Sequence, residues 1–176
     1  MSAPRPPAIA ITADMLRSNR LFDGMDQSTL EKLAAELPSE TAQPGQVLIR
    51  EGEIAEHMFL VVQGEMEVLH KGGSERDVRV ALLGPGDWVG EMAILDTQPR
   101  SATVRSLAPS LLMRLTGPEV QRLTKTDSGD QYTILVTNIA RELGRRLRVA
   151  DRIIANAAAP MVERYVQESR RPPPPK

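Results

Sequence analysis

Apolar positions along the chain change their spacing twice, from a helical period to short runs and back to a helical period. Between residues 30 and 37 they recur at steps of three and four, which is typical of an amphipathic helix. Asp26 or Ser28 can cap this helix at its N-terminus, and Pro38 follows Leu37 as a stop signal. The pattern predicts an α-helix that ends at Leu37.

The middle of the chain consists of short apolar runs separated by turns rich in glycine and proline. Runs of this length between such turns are typical of β-strands. The predicted strands are residues 46–51, 58–63, 65–70, 77–83, 102–106 and 111–115. The sequence therefore predicts an α+β fold, with a jelly-roll-like β-roll of about eight short strands flanked by N-terminal and C-terminal helices.

A helical period returns in the C-terminal part of the chain. Pro118 suits the first turn of a short helix that ends near Lys125, and a longer helix is predicted over residues 130–158. The apolar positions of the longer helix follow in steps of four and three, as in a coiled coil. They are Val136, Ala140, Leu143, Leu147, Ala150 and Ile154. This seam could pack on the β-roll or pair with a second copy of the chain. Pro160 is predicted to end or kink the helix.

The predicted organisation has three parts. Residues 1–12 form a disordered, proline-rich head, and residues 13–158 form one domain that includes the long helix. Residues 159–176 form a short helix followed by a proline-rich tail. A chain of 176 residues is long enough to bury the core of one domain.

Composition excludes several classes of function. The 22 Lys and Arg residues nearly balance the 23 Asp and Glu residues, which argues against a protein-wide nucleic-acid-binding field. The chain has no cysteine, so thiol catalysis, iron–sulfur ligation and zinc–thiolate sites are excluded. No apolar run approaches the roughly 20 residues of a membrane span, and residues 1–12 lack a signal-peptide core. We expect a cytoplasmic protein without membrane contact.

Five arginines lie on the predicted long helix. They are the solvated face of the helix, or they bind the acidic surface of a partner or a nucleic acid. These residues are Arg141, Arg145, Arg146, Arg148 and Arg152.

Residues 90–104 read G-E-M-A-I-L-D-T-Q-P-R-S-A-T-V and concentrate the candidate chemistry. Gly90 allows close approach of a ligand, and residues 92–95 can form a helical turn whose first amides favour an anion. The planar guanidinium of Arg100 suits phosphate oxygens, and Ser101 adds a hydroxyl. Glu91 only accepts hydrogen bonds when ionised, so it suits a sugar hydroxyl. The segment predicts a site for a small sugar phosphate.

This segment resembles the phosphate-binding cassette of the cyclic nucleotide-binding domain family, whose pattern is G-E-x-A-L, a short loop and P-R-x-A-x-V. The family includes regulatory subunits of cyclic-nucleotide-dependent kinases, cyclic-nucleotide-gated channels and the catabolite activator type of bacterial regulator. L-F-D-G-M at residues 21–25 and the turn glycines Gly45, Gly52 and Gly64 extend the resemblance over roughly residues 18–154.

The resemblance implies specific roles for the residues of the segment. Arg100 would pair with the cyclic phosphate, and Glu91 would accept the ribose 2′-hydroxyl. Backbone amides around Met92 and Ala93, together with Ser101, would complete the phosphate cradle. Serine at position 101 is similar to the bacterial members that bind cAMP, whereas threonine there tends to accompany cGMP. The expected ligand is therefore cAMP, with cGMP as the alternative and a cyclic dinucleotide left open, and no further cofactor is expected.

Four functions compete at this point. A non-enzymatic sensor would use its ligand to reposition the C-terminal helix and regulate an unidentified protein partner or a homodimer. A regulator of the catabolite activator type would need a DNA-binding domain after the long helix, and the roughly twenty residues that follow it argue against DNA binding. An enzyme has no support, because His57 and His70 show no metal-ligand spacing and no phosphate-loop motif is present. A degenerate module without ligand would not be expected to keep both Glu91 and Arg100.

Overall fold

The computed structural model describes residues 10–72, 76–96, 98–126 and 129–169. Residues 1–9 of the predicted head and residues 170–176 of the predicted tail lie outside these ranges. The chain divides after Asn138 into two compact units. No helix among the described residues is both long enough and apolar enough to cross a membrane.

Eight antiparallel strands of the first unit form two four-stranded sheets. The strands are β1 (Ser39–Ala42), β2 (Val47–Ile49), β3 (His57–Gln63), β4 (Met66–Lys71), β5 (Asp77–Leu83), β6 (Trp88–Val89), β7 (Thr103–Ser106) and β8 (Ser110–Thr116). One sheet has the order β1-β8-β3-β6, and the other has the order β2-β7-β4-β5. The predicted β-roll of about eight short strands is confirmed. A further two-residue ladder, β9 (Lys125–Thr126) with β10 (Gly129–Asp130), follows the two sheets.

The main core draws side chains from strands of both sheets. Its buried members are Ala42, Ile49, Phe59, Val61, Met66, Leu83, Val104 and Leu112. In β3 and β8 the intervening residues Met58, Leu60, Met113 and Leu115 are also buried, so these two central strands are covered on both faces. This explains why their sequences read as continuous apolar runs and not as alternating ones.

Helices precede, interrupt and follow the strands. They are α1 (Ala13–Arg17), a 3-10 turn (Arg20–Phe22), α2 (Gln27–Glu36), α3 (Met92–Leu95), α4 (Gly117–Leu123) and α5 (Gln131–Ser169). The carboxylate of Asp26 accepts a hydrogen bond from the amide of Thr29 at 2.7 Å, so Asp26 is the cap of α2. The predicted helices around α2 and α4 are confirmed. The first turn of α4 contains Pro118, and a reciprocal capping box between Thr116 and Glu119 precedes it.

α5 runs from Gln131 to Ser169 with Pro160 inside it, so the helix does not end at Pro160 as one of the two alternatives predicted. The other alternative, a kink at Pro160, stays a prediction. Residues 159–169 therefore continue α5 and are not a separate short helix. Proline at position 160 removes the amide that would bond to the Asn156 carbonyl, at a cost of about 3 kcal/mol. Alanines at positions 155 and 157–159 have the highest helix propensity of any residue and offset part of this cost.

The first turns of α5 are fixed to the N-terminal segment by side-chain amides. Nδ2 of Asn138 donates to the carbonyls of Leu21 at 3.1 Å and Asp23 at 2.8 Å. Oε1 of Gln131 accepts from the amide of Asp26 at 3.0 Å. The face buried here contains Leu135 and Asn138, so it is offset by one residue from the seam predicted to start at Val136.

Farther along α5 the predicted seam is exposed. Leu147 has 62% of its surface exposed and Ile154 has 65%, while Leu143 is half-buried. The seam therefore leaves a row of apolar side chains accessible on the described part of the second unit.

Gly64, between β3 and β4, has a backbone φ of +100°, and a Cβ there would lie 2.7 Å from Cα of Ser110. We predict that Gly64→Ala lowers the free energy of unfolding by about 3 kcal/mol or more, from strained backbone and a clash in the interior. Urea denaturation measures the change.

Gly45→Ala is the matched control, because Gly45 has a similar φ of +83° but no atom within 4 Å of the added Cβ. Gly45→Ala should lower the free energy of unfolding by only about 1 kcal/mol, because it strains the backbone but causes no clash. Equal losses for the two variants would contradict the close contact between Gly64 and Ser110.

Candidate functional site

The segment from Gly90 to Val104 connects β6 to β7 and forms the helical turn predicted for it. Gly90 has a φ of +81°, and α3 covers residues 92–95 as the sequence predicts. Glu91 occupies the N-cap position of α3, but its side chain makes no capping hydrogen bond. The amide of Ala93 donates to the Gly90 carbonyl at 3.1 Å, and the amide of Ile94 donates to the Glu91 carbonyl at 3.0 Å. The amide of Ala93 is thus engaged within the turn, whereas the side chain of Met92 is exposed.

The backbone of Arg100 is held by the turn that follows β2. Its amide donates to the Glu53 carbonyl at 2.8 Å, and its carbonyl accepts from the amide of Gly52 at 2.9 Å. Three residues after Arg100, Oγ1 of Thr103 accepts a hydrogen bond from the amide of Glu51 at 3.0 Å. These bonds fix the point where the chain re-enters the sheet, and the exposed Ser101 lies directly beside it.

The guanidinium of Arg100 reaches back across the segment, and the residue as a whole is only 7% exposed. Its Nη1 donates to the Gly90 carbonyl at 3.0 Å, and its Nη2 donates to the carbonyl of His57. A Cβ at position 90 would lie 2.7 Å from Nη1 of Arg100. Glycine at this position therefore serves two purposes: it permits the positive φ and makes room for the guanidinium.

Glu91 is 4% exposed and lies close enough to affect Arg100 electrostatically. Burial lowers the pKa of the Arg100 guanidinium below its ordinary value, and the negative charge of Glu91 opposes this shift. An arginine remains protonated at neutral pH even so. The site therefore places a buried cation and a buried carboxyl group side by side.

His57 contributes its backbone carbonyl to the site, and its imidazole adds little positive charge. Burial lowers the pKa of the imidazole, as do the charges of Arg100 and, to a smaller extent, Arg114, while Glu40 acts in the opposite direction. The ring contacts Phe59 edge-on, with the ring centroids 5.0 Å apart. The stable cation of the site is therefore Arg100.

The structure thus brings three of the sequence-predicted residues, Gly90, Glu91 and Arg100, into one buried cluster. Sequence reasoning missed the carbonyl of His57 and the backbone groups of Gly52 and Glu53, which position Arg100. Every residue has the same backbone groups, so their positions cannot be read from the sequence. Only the glycine at position 52 could have indicated this turn. Together the groups can bind an anion at Arg100 beside a hydroxyl at Glu91.

A cavity of about 280 Å³ elsewhere in the first unit lacks this chemistry. It lies between α1 and β3, and its lining is mainly apolar. Its polar members, Ser18 and Asn19, already form hydrogen bonds to Met15, Gly86 and Leu21. The cavity therefore offers no charged group to a phosphate.

Comparisons with known proteins identify the family and the fold of the domain. The family model described as "Cyclic nucleotide-binding domain" matches residues 39–127. The chain is 39% identical over 104 residues to the cAMP-dependent protein kinase regulatory subunit of Yarrowia lipolytica, covering 54% of this chain and 27% of that protein. It is 37% identical over 99 residues to the acetyltransferase Pat of Mycolicibacterium smegmatis, covering 56% of this chain and 29% of that enzyme.

Among solved structures, the fold is similar to that of the Thermus thermophilus catabolite activator protein. The TM-score is 0.70 at 24% identity, and the match covers 80% of this chain and 63% of the other. The chain therefore spans less than a third of the two sequence relatives and less than two thirds of this structural neighbour.

Proposed function

The chain belongs to the cyclic nucleotide-binding domain family, and from this premise we propose that it is a non-enzymatic sensor that binds cAMP. The observation that carries the proposal is the buried pair of Arg100 and Glu91 at the turn formed by Gly90 and α3. A buried cation and a buried carboxylate are costly to keep without a function. cGMP is the alternative ligand.

In the proposed complex, Arg100 binds the cyclic phosphate and Glu91 accepts the ribose 2′-hydroxyl. Two of the guanidinium N–H groups of Arg100 bond to backbone carbonyls, and the remaining donors can bind oxyanions. Ser101 lies beside Arg100, where its exposed hydroxyl can donate to the same phosphate. The backbone amide of Met92, the first residue of α3, also donates to the phosphate. The amide of Ala93 does so only if its bond to the Gly90 carbonyl opens.

The proposed response is a repositioning of α5 that regulates a protein partner or the oligomeric state. Such a response requires that the ligand bind more tightly to one arrangement of the helix than to another. The exposed seam residues Leu147 and Ile154 support self-association through α5. In a parallel, in-register pair of helices, Arg146 would also face Asp151 of the second copy with complementary charge.

The non-enzymatic part of the proposal is supported by the sequence, which contains no phosphate-loop motif and no spacing of metal-binding histidines. The similarity to an acetyltransferase covers 29% of that enzyme, so it does not carry catalysis over to this chain.

We predict that Arg100→Leu weakens cAMP binding by about 3–5 kcal/mol, a few hundred-fold or more, because the phosphate would lose its buried cation. Isothermal titration calorimetry measures this. Arg122→Leu is the matched control, since Arg122 is an exposed arginine paired with Glu36 on α2. It should bind like the wild type.

Urea denaturation and Arg100→Lys separate folding from binding, since lysine keeps the charge but loses the planar fork. An intermediate loss is expected for this variant. Near-wild-type affinity in a folded Arg100→Leu protein would refute the assignment. A wild type that binds neither cAMP, cGMP nor a cyclic dinucleotide would favour a module without ligand.

Glu91→Gln should weaken cAMP binding by about 1–3 kcal/mol, because one charge-assisted hydrogen bond to the ribose is lost. Titration with 2′-deoxy-cAMP identifies the partner of Glu91. The wild type should discriminate strongly against the deoxy ligand, and the variant should discriminate much less. Equal affinity of the wild type for both ligands would show that Glu91 does not contact the 2′-hydroxyl.

Leu147→Gln should weaken self-association through the seam at least tenfold, because each copy loses the burial of a leucine side chain, about 1.5–3 kcal/mol. Val149→Gln is the matched control, since Val149 is also exposed on α5 but lies off the seam. Light scattering over a range of protein concentrations, with and without cAMP, measures both variants. A monomeric wild type at all concentrations would rule out the homodimer.

A further inference from the structure

Four arginines of α5 share one face of the helix. Arg141, Arg145, Arg148 and Arg152 follow one another in steps of four, three and four residues, and all four are exposed. At a rise of about 1.5 Å per residue they span roughly 16 Å of the helix axis. We call these four residues the arginine row.

The arginine row lies on the side of α5 away from the exposed seam. Each residue of an α-helix is rotated by about 100° around the helix axis from the one before it. The mean direction of the arginine row is therefore rotated by roughly 160° from that of the seam residues Leu143, Leu147, Ala150 and Ile154. A second copy bound to the seam would therefore leave the arginine row accessible.

The part of the chain that contains the arginine row is basic, whereas the rest of the chain is acidic. Residues 139–176 contain nine basic and four acidic residues, a net charge of +5, whereas residues 1–138 contain thirteen basic and nineteen acidic residues, a net charge of −6. Glu142 and Asp151 are the acidic residues between positions 139 and 160. Glu142 binds both Arg145 and Arg146, and these bonds lower the pKa of its carboxyl group. Five arginines stand against these two acidic residues between positions 139 and 160, so this part of α5 keeps a net charge of +3.

We propose that the arginine row is a docking surface for an acidic protein partner that presents carboxylates at matching helical spacing. The planar guanidinium group binds a carboxylate through two parallel hydrogen bonds, which suits a partner with regularly spaced acidic side chains. At Arg145 a partner carboxylate would replace Glu142, which already bonds to Nε and Nη2 of this arginine. The −6 charge of residues 1–138 opposes a long polyanion such as DNA more than a short acidic helix. The inference does not depend on whether the β-roll binds a nucleotide, and it names the class of partner that the proposed function leaves open.

The test uses two synthetic helical peptides of identical composition as probes. One carries four glutamates in steps of four, three and four, and the other has the same residues in scrambled order. Full-length wild type should bind the ordered peptide more tightly than the scrambled one. The double variant Arg148→Gln with Arg152→Gln should bind it about tenfold more weakly, because two exposed charge pairs are lost.

The matched control is Arg17→Gln with Arg20→Gln, which removes the same charge from exposed arginines near the N-terminus. It should bind the ordered peptide within twofold of the wild type. Circular dichroism checks that α5 is intact, and little change is expected because glutamine and arginine have similar helix propensities. A cAMP titration of the row variant should match the wild type, which separates failure of this surface from failure of the nucleotide site.

Three results would overturn the proposal. The first is no binding of the ordered peptide by the wild type, or equal binding of the ordered and scrambled peptides. The second is an equal loss of affinity for the ordered peptide in the row variant and in the control, which would show that only the net charge of the protein matters. The third is tighter binding of a 20-base-pair DNA duplex, or of anionic vesicles, than of the ordered peptide, which would assign the row to a different class of partner.

Discussion

The burial of one positive charge, that of Arg100, constrains the rest of the site. Arg100 is only 7% exposed, and its guanidinium bonds to the carbonyls of Gly90 and His57 and has a counter-charge in Glu91. These contacts favour glycine at position 90, because φ is +81° there and a Cβ would lie 2.7 Å from Nη1 of Arg100. They also require that the chain return to the sheet at a fixed point, which the bonds to Gly52 and Glu53 provide. One buried charge thus determines the geometry of several chain segments.

Most of the β-roll could be predicted from the sequence, because glycine turns and apolar runs coincide with the ends and interiors of strands. Strands β1 and β6 were not predicted individually, since S-E-T-A is polar and W-V is only two residues long. Their pairing with β8 and β3 creates these strands, and that pairing is tertiary. The helix continues past Pro160 because the helical residues on both sides of it outweigh the local effect of one proline.

The candidate site was predictable for a different reason. Gly90, Glu91 and Arg100 lie within eleven residues, so a local pattern captures them. The groups that position Arg100 come from the start of β3 and from the turn after β2, and they act through backbone atoms. No residue type encodes a carbonyl at a particular place in space, so this part of the site required the structure. The offset of the buried face of α5 from the predicted seam has the same origin, because it depends on which carbonyls Asn138 reaches.

The low pKa of His57 has a consequence for what a sensor built on this site could measure. An ordinary imidazole titrates near pH 6.5, close enough to neutrality that a small acidification would add charge beside an anion-binding group. Burial and the neighbouring arginines move that protonation to lower pH. The positive charge next to Gly90 then depends less on the acidity of the surroundings than it would beside an ordinary imidazole. A sensor built on such a site would be less sensitive to protons than one with an ordinary histidine at this position.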